Sequence, residues 1–193
     1  MLAESDVLIH SFKEWAIAIS ALGSGKTIML LRKGGIREAS KKFQVKHQKV
    51  WLYPTYEHQK SQLLKPEYST HVTEVRSGWH PATVEIQSYA EITNILEINS
   101  LEKLQQLEPY HIWNQLMVGD RFKWKPQQPL VILLLRVSNL PTPITIPYHQ
   151  SYGGCKSWID LQKPISLQDL KPVLTTDIYQ QQVNEILNII DRD

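Results

Sequence analysis

Leu130-Val-Ile-Leu-Leu-Leu-Arg-Val137 contains seven apolar residues and one arginine, with no polar alternation. A strand with one wet face alternates polar and apolar side chains, whereas an unbroken run needs cover on both faces. The run therefore predicts a central, buried strand, and the rest of the chain must build around it.

Upstream, Trp15-Ala-Ile-Ala-Ile19 and Thr27-Ile-Met-Leu-Leu31 are apolar runs of strand length separated by Gly23-Ser-Gly25, so residues 12–36 read as a hairpin. Beyond Gly34-Gly35, Phe43-Gln-Val45 and Val50-Trp-Leu-Tyr53 predict two more short strands, the second stopped by Pro54. Thr55 can cap a helix that reaches Leu64, with Pro66 just past its end. Residues 66–81 have no clear period and read as a loop with a short strand. From Ala82 to Ile98 the pattern is ambiguous, although Val84-Glu-Ile-Gln87 alternates as a strand does.

Asn99 or Ser100 caps a helix to Leu107, and Tyr110 to Met117 reads as a second short helix ended by Gly119. Pro141, Pro143 and Pro147 break up the next stretch, Gly153-Gly154 makes a tight loop, and Trp158 to Leu161 is a short strand. Thr175 or Thr176 caps a last helix, Asp177 to about Ile190, with Ile178, Tyr179, Val183, Ile186, Leu187 and Ile190 on one stripe. Strands and helices mix without a βαβα rhythm. The expected class is α+β: one domain over residues 1–193, with a curved antiparallel or mixed sheet, short helices and the amphipathic C-terminal helix packed on it.

Several functional classes are excluded early. The longest apolar runs fall far short of the roughly 20 residues of a membrane span. The start, Met1 to Trp15, has early acids and no basic region before an apolar one, so no signal peptide is expected and the cytoplasm is the expected location. A single cysteine, Cys155, excludes a disulfide framework and a cysteine-rich zinc site. Gly23-Ser-Gly-Lys-Thr27 ends like a phosphate-binding loop, but Ser20 stands where that motif needs glycine, and a strand follows where it needs a helix. No nucleoside triphosphate is expected to bind. The seven histidines show no ligand-pair spacing, so neither a metal nor another cofactor is expected.

The bulk charge of +2 names no partner, but its distribution is uneven. Lys26 to Lys49 carries +7, including Arg32, Lys33, Arg37, Lys41 and Lys42, while Pro66 to Gly119 carries −5. Cations beside Tyr53 and Tyr56 are what a nucleic-acid surface needs, since lysine and arginine neutralise phosphates and rings stack on bases. The alternative is that the basic segment faces the acidic one within the same fold. Gln44-Val-Lys46 matches half of a metal-dependent nuclease pattern, but its only upstream acid in the same region is Glu38. Glu57, His58 and Cys155 are the remaining candidates for acid–base or nucleophilic chemistry.

Leu30-Leu-Arg-Lys-Gly-Gly-Ile-Arg37, Trp51-Leu-Tyr-Pro-Thr-Tyr-Glu-His-Gln59 and Tyr152-Gly-Gly-Cys-Lys-Ser-Trp158, together with the Leu130 to Val137 strand, resemble a bacterial, mainly cyanobacterial, domain-of-unknown-function family, DUF1802. The resemblance covers nearly the whole chain. It implies a cytoplasmic bacterial protein with no established activity, in a restriction–modification-like context. It also marks Arg32, Lys33, Arg37, Tyr53, Tyr56, Glu57, His58, Gln59, Tyr152, Lys156 and Trp158 as site candidates. The leading expectation is a nucleic-acid-binding accessory protein for DNA or RNA. A nuclease or hydrolase, and a module that binds an acidic protein partner, are the alternatives. Reversing Arg32, Lys33 and Arg37 to glutamate should then abolish binding at little cost in stability.

Overall fold

The computed structural model describes residues 6–33 and 43–192. Seven strands form one open sheet: β1 (Val7–Trp15), β2 (Met29–Arg32), β3 (Lys49–Thr55), β4 (Thr83–Ile98), β5 (Leu130–Pro147), β6 (Trp158–Ser166) and β7 (Lys171–Pro172). Their order is β2-β5-β4-β3-β1-β6, with β7 beside β5. All pairings are antiparallel except β1 with β3. Around the sheet lie α1 (Ala16–Gly23), α2 (Pro66–Ser69), α3 (Leu101–Gln106), α4 (Gln115–Lys123) and α5 (Thr176–Asp191). The expected α+β class, mixed sheet and packed C-terminal helix are all present.

Strand alternation divides the apolar residues between two cores. In β3, Val50 and Leu52 enter the larger core beneath the helices, whereas Trp51 and Tyr53 enter a smaller one with Tyr152, Ile159 and Leu161. The Leu130 to Val137 stretch of β5 lies inside the sheet, flanked by β2 and β4, and its apolar residues all belong to the larger core. α5 adds Tyr179, Val183 and Ile186 to that core, and the Thr175 hydroxyl accepts a bond from the Ile178 N–H at its start. The Ser100 hydroxyl caps α3 in the same way.

The structure corrects several local expectations. The hairpin expected over 12–36 is not found among its described residues, 12–33: Ala16 to Gly23 is helical, β1 pairs with β3 and β6, and β2 pairs with β5. Gly23-Ser-Gly25 ends α1 instead of turning between strands. Gly25 takes φ +73°, its N–H donates to Leu22 O, and the Lys26 N–H donates to Ala21 O, the paired bonds of a Schellman cap. A Cβ on Gly25 would also lie 2.9 Å from the Leu174 side chain. Lys26 therefore follows a helix end and precedes a strand, the reverse of a phosphate-binding loop.

Residues 55–64 are not a helix either; β3 runs through Pro54 to Thr55, and only Ser61–Leu63 makes a 3-10 turn. Phe43 to Val45 forms no strand. Residues 66–81 hold the short helix α2 and no strand, while Thr83 to Ile98 resolves as one long strand. The second short helix lies later than its sequence suggested, at Gln115–Lys123, with Gly119 inside it and Asn114 as its cap. Pro141, Pro143 and Pro147 do not break β5. Beyond Asn139 that strand is paired only with β4, so its other edge needs no N–H donors.

Candidate nucleic-acid interface

Two adjoining hollows open beside the start of α1, and they share Tyr56 and Trp79. The outer one is a cleft of about 940 Å³, within the usual range for ligand sites. Ala16, Ser20 and Ala21 of α1 line it together with Tyr68 and His71. Exposed Lys26 stands at the rim, as does the opposing carboxylate Glu67.

Local structure sets these groups in place. The Gln59 side-chain Oε1 accepts from the Ile17 N–H at 3.0 Å, one of the donors a helix start leaves without an internal partner. Buried Gln59 thereby fastens the 56–60 segment to α1. The Glu57 carboxylate accepts from the Gly78 N–H at 2.7 Å and the Ser77 hydroxyl at 3.0 Å. These bonds, the Gly78 N–H foremost, hold the Glu57 carboxyl below the usual carboxylate range. Glu57 is thus the anchor of the turn that presents Trp79, whose ring meets Tyr56 edge-to-face at 6.0 Å. His58, at 3.3 Å from Glu57, sits exposed in the left-handed region with φ +66°.

The inner recess, about 120 Å³, is bounded by Lys13, Tyr53, Tyr148 and Tyr152. The Lys13 amine donates to the Tyr152 and Gly154 carbonyls, and its burial lowers its pKa. Tyr53 is buried and its hydroxyl has no hydrogen-bond partner; burial, with the neighbouring tyrosines, raises its pKa well above the phenol range. Tyr148 stacks on His80 with ring centroids 3.5 Å apart. Lys156 and Cys155 are exposed close to Lys13.

The residues singled out in the sequence separate into two places. Tyr53, Tyr56, Glu57, Gln59 and Tyr152 meet around these hollows. Arg32, Lys33 and Trp158 lie elsewhere. The Arg32 guanidinium pairs with buried Glu14 at 2.8 Å, donates to the Ser157 hydroxyl, and covers the rings of Phe12 and Phe43. The Lys33 amine is buried and donates to the Arg121 and Phe122 carbonyls, closing the C-terminal end of α4. Trp158 packs on Phe12 and donates from Nε1 to the Gln44 carbonyl. Arg37, Lys41 and Lys42 fall outside the described residues. Arg32 finds its acid in β1, and Lys49 approaches Glu91 only at 4.0 Å, so broad pairing of the basic segment with the 66–119 acids is not seen among the described residues.

Sequence reasoning missed Lys13, Trp79, Tyr68 and His71. Only folding brings them together, and no spacing signal announces them. Among the described residues no metal-ligand cluster lines the hollows; the one convergent group of histidine and acid side chains lies on another part of the sheet.

No curated protein matches the chain. Among solved structures, the crystal structure of ASCH from Zymomonas mobilis is similar over 91% of this chain and 93% of that one, at 14% identity and a TM-score of 0.43. A serine-to-alanine mutant of that protein gives the same identity and TM-score over 94% of its length, and a tyrosine-to-phenylalanine mutant gives 0.37 over 96%. A likeness of that degree transfers no residue role. At the level of sequence families, the profile of the domain of unknown function DUF1802 covers residues 11–185, and the chain belongs to that family.

Proposed function

We propose that the chain acts as one domain over residues 1–193, a cytoplasmic nucleic-acid-binding accessory protein that takes a single strand of DNA or RNA along the α1 cleft. The observation that carries this reading is the cleft itself. It has a volume of about 940 Å³, it is lined by Tyr56, Tyr68 and Trp79, and the exposed cation Lys26 lines it as well. Aromatic faces stack on any base and rim cations track phosphates, the combination used by sequence-tolerant single-strand binders. Lys156, beside the inner recess, extends the cationic side. Arg37, Lys41 and Lys42 belong to the same basic segment as Lys26 and are candidates for further phosphate contacts.

The test is anisotropy of labelled single-stranded DNA and RNA at about 50 and 200 mM salt. Affinity should fall steeply with salt through counterion release. Trp79→Ala should lower it by about ten- to hundredfold, in line with about 1–3 kcal/mol for a stacked base. Lys26→Glu should weaken binding and flatten the salt dependence. Absence of binding at the lower salt refutes the reading, and binding of poly-glutamate in its place selects a module for acidic protein partners. A second reading, a hydrolase, draws on the recess, where a desolvated lysine faces an unpartnered phenol. Strand cleavage abolished by Lys13→Met would select it.

A further inference from the structure

On the β1–β6 side of the sheet, three side chains distant in sequence converge. His10 projects from β1, Asp160 is its register partner on β6, and His47 comes from the segment that leads into β3. One ligand atom from each lies within 4.8 Å of the other two. The His10 Nδ1–H donates to Asp160 Oδ1 at 2.7 Å, and the His10 and His47 rings lie face to face, with centroids 3.7 Å apart and 10° from parallel. The histidines are half-buried and Asp160 is exposed, so the cluster opens to solvent.

We propose that His10, His47 and Asp160 form a site for a divalent transition-metal ion of the zinc class. Two imidazole nitrogens and one carboxylate oxygen are borderline donors suited to Zn²⁺, Co²⁺ or Ni²⁺; Mg²⁺ and Ca²⁺ prefer all-oxygen sets. Bonds of about 2.0–2.2 Å in tetrahedral geometry put donor atoms about 3.3 Å apart. The His10–Asp160 pair must open slightly from 2.7 Å, and the wider gaps, none above 4.8 Å, must close. Asp160 is exposed and free to change rotamer. The half-buried imidazoles must turn out of their parallel stack so that an in-plane lone pair of each points at the ion, and a His10 nitrogen bound to the ion gives up its proton. Three protein ligands leave a fourth position for water or an anionic oxygen.

The surroundings support a fixed site. The His47 ring abuts Trp158 edge-on at 6.0 Å, and the Trp158 indole N–H holds the Gln44 carbonyl. Phe43 to Gln48 has no helix or strand of its own, so the metal would tie this segment to two strands at once. A ligand bound only to the native state raises apparent stability by mass action.

Cobalt titration of the tag-free protein, followed by visible absorption, tests the proposal. One Co²⁺ per chain should bind with a four- or five-coordinate spectrum, and Zn²⁺ should displace it. Zn²⁺ but not Mg²⁺ should raise the thermal midpoint. Asp160→Asn keeps an acceptor for His10 and loses only the anionic ligand. That variant and His47→Gln should each weaken binding at least tenfold while the metal-free midpoint stays near that of the wild type. No Co²⁺ spectrum with metal in large excess, or binding unchanged in both variants, overturns the assignment.

Discussion

Removing the Glu14 carboxylate should be among the most damaging single changes in the sheet. Its side chain is 7% exposed and that of Arg32 is 16% exposed, so little water screens the pair. The carboxylate accepts from the Arg32 guanidinium at 2.8 Å and from the Trp15 N–H at 2.8 Å, with the Arg121 guanidinium close by. Glu14→Ala leaves those cations facing each other without an anion and strands the half-buried Trp15 N–H. Breaking a buried pair in this way costs about 3–5 kcal/mol, a large share of the roughly 5–15 kcal/mol typical of a folded domain. Urea unfolding followed by circular dichroism should show the midpoint fall with the slope unchanged. Replacing both partners, as in Glu14→Leu with Arg32→Met, should restore much of the loss, because the desolvation penalty goes with the charges. A loss below about 1 kcal/mol, the value of an exposed pair, would refute the reasoning. The same geometry reverses the sequence-based expectation that Arg32→Glu and Lys33→Glu spare stability. The first would set two carboxylates together, and the second would aim a negative charge at the carbonyl end of α4.

Ile186 is fully buried against the sheet, so Ile186→Asp should abolish cooperative unfolding; a thermal midpoint equal to the wild type would show α5 to be an appendage. His111 is buried, and that burial, helped by nearby Lys65, pushes its imidazole down to about 4. The native ring therefore stays neutral while the unfolded chain binds a proton from about pH 6.5 downward, so stability is full above that pH and drains as pH falls toward 4. The loss should be up to about 1.4 kcal/mol per pH unit, and the gap between wild type and His111→Phe should shift by about 2 kcal/mol between pH 7 and 5. Parallel pH profiles for the two proteins would contradict it.

Side-chain order alone made β5 and α5 legible, because an unbroken apolar run and an i, i+3, i+4 stripe each fit one geometry. Thr175 and Ser100 were readable as caps because capping is local. α1 was not readable. Trp15-Ala-Ile-Ala-Ile19 is an unbroken apolar run of strand length, yet it opens a helix. Ala18, Ile19, Ala21 and Leu22 of that helix enter the core while exposed Ser20 lines the cleft, and no amphipathic stripe announces it. Within the candidate site, Tyr56, Glu57 and Gln59 were found because they follow Pro54 in one block. Lys13 and Trp79 arrive from separate elements. Within the basic segment, charge counts cannot tell a solvated guanidinium from Arg32, which is folded onto Glu14 and two rings. Histidine spacing likewise could not reveal His10 and His47, whose partner Asp160 is 150 residues from His10 along the chain.

That same separation bears on synthesis. β1 lies between β3 and β6, so one of its hydrogen-bonding edges is satisfied once β3 emerges from the ribosome, while the other must wait for β6. At about 5–20 residues per second, the register partner of His10 appears on the order of ten seconds later. During that interval the nascent chain presents an unpaired strand edge, the kind of surface that recruits other chains. Slower translation, or release of a chain cut before Trp158, should prolong the exposure and make chaperone contact with residues 7–15 its signature.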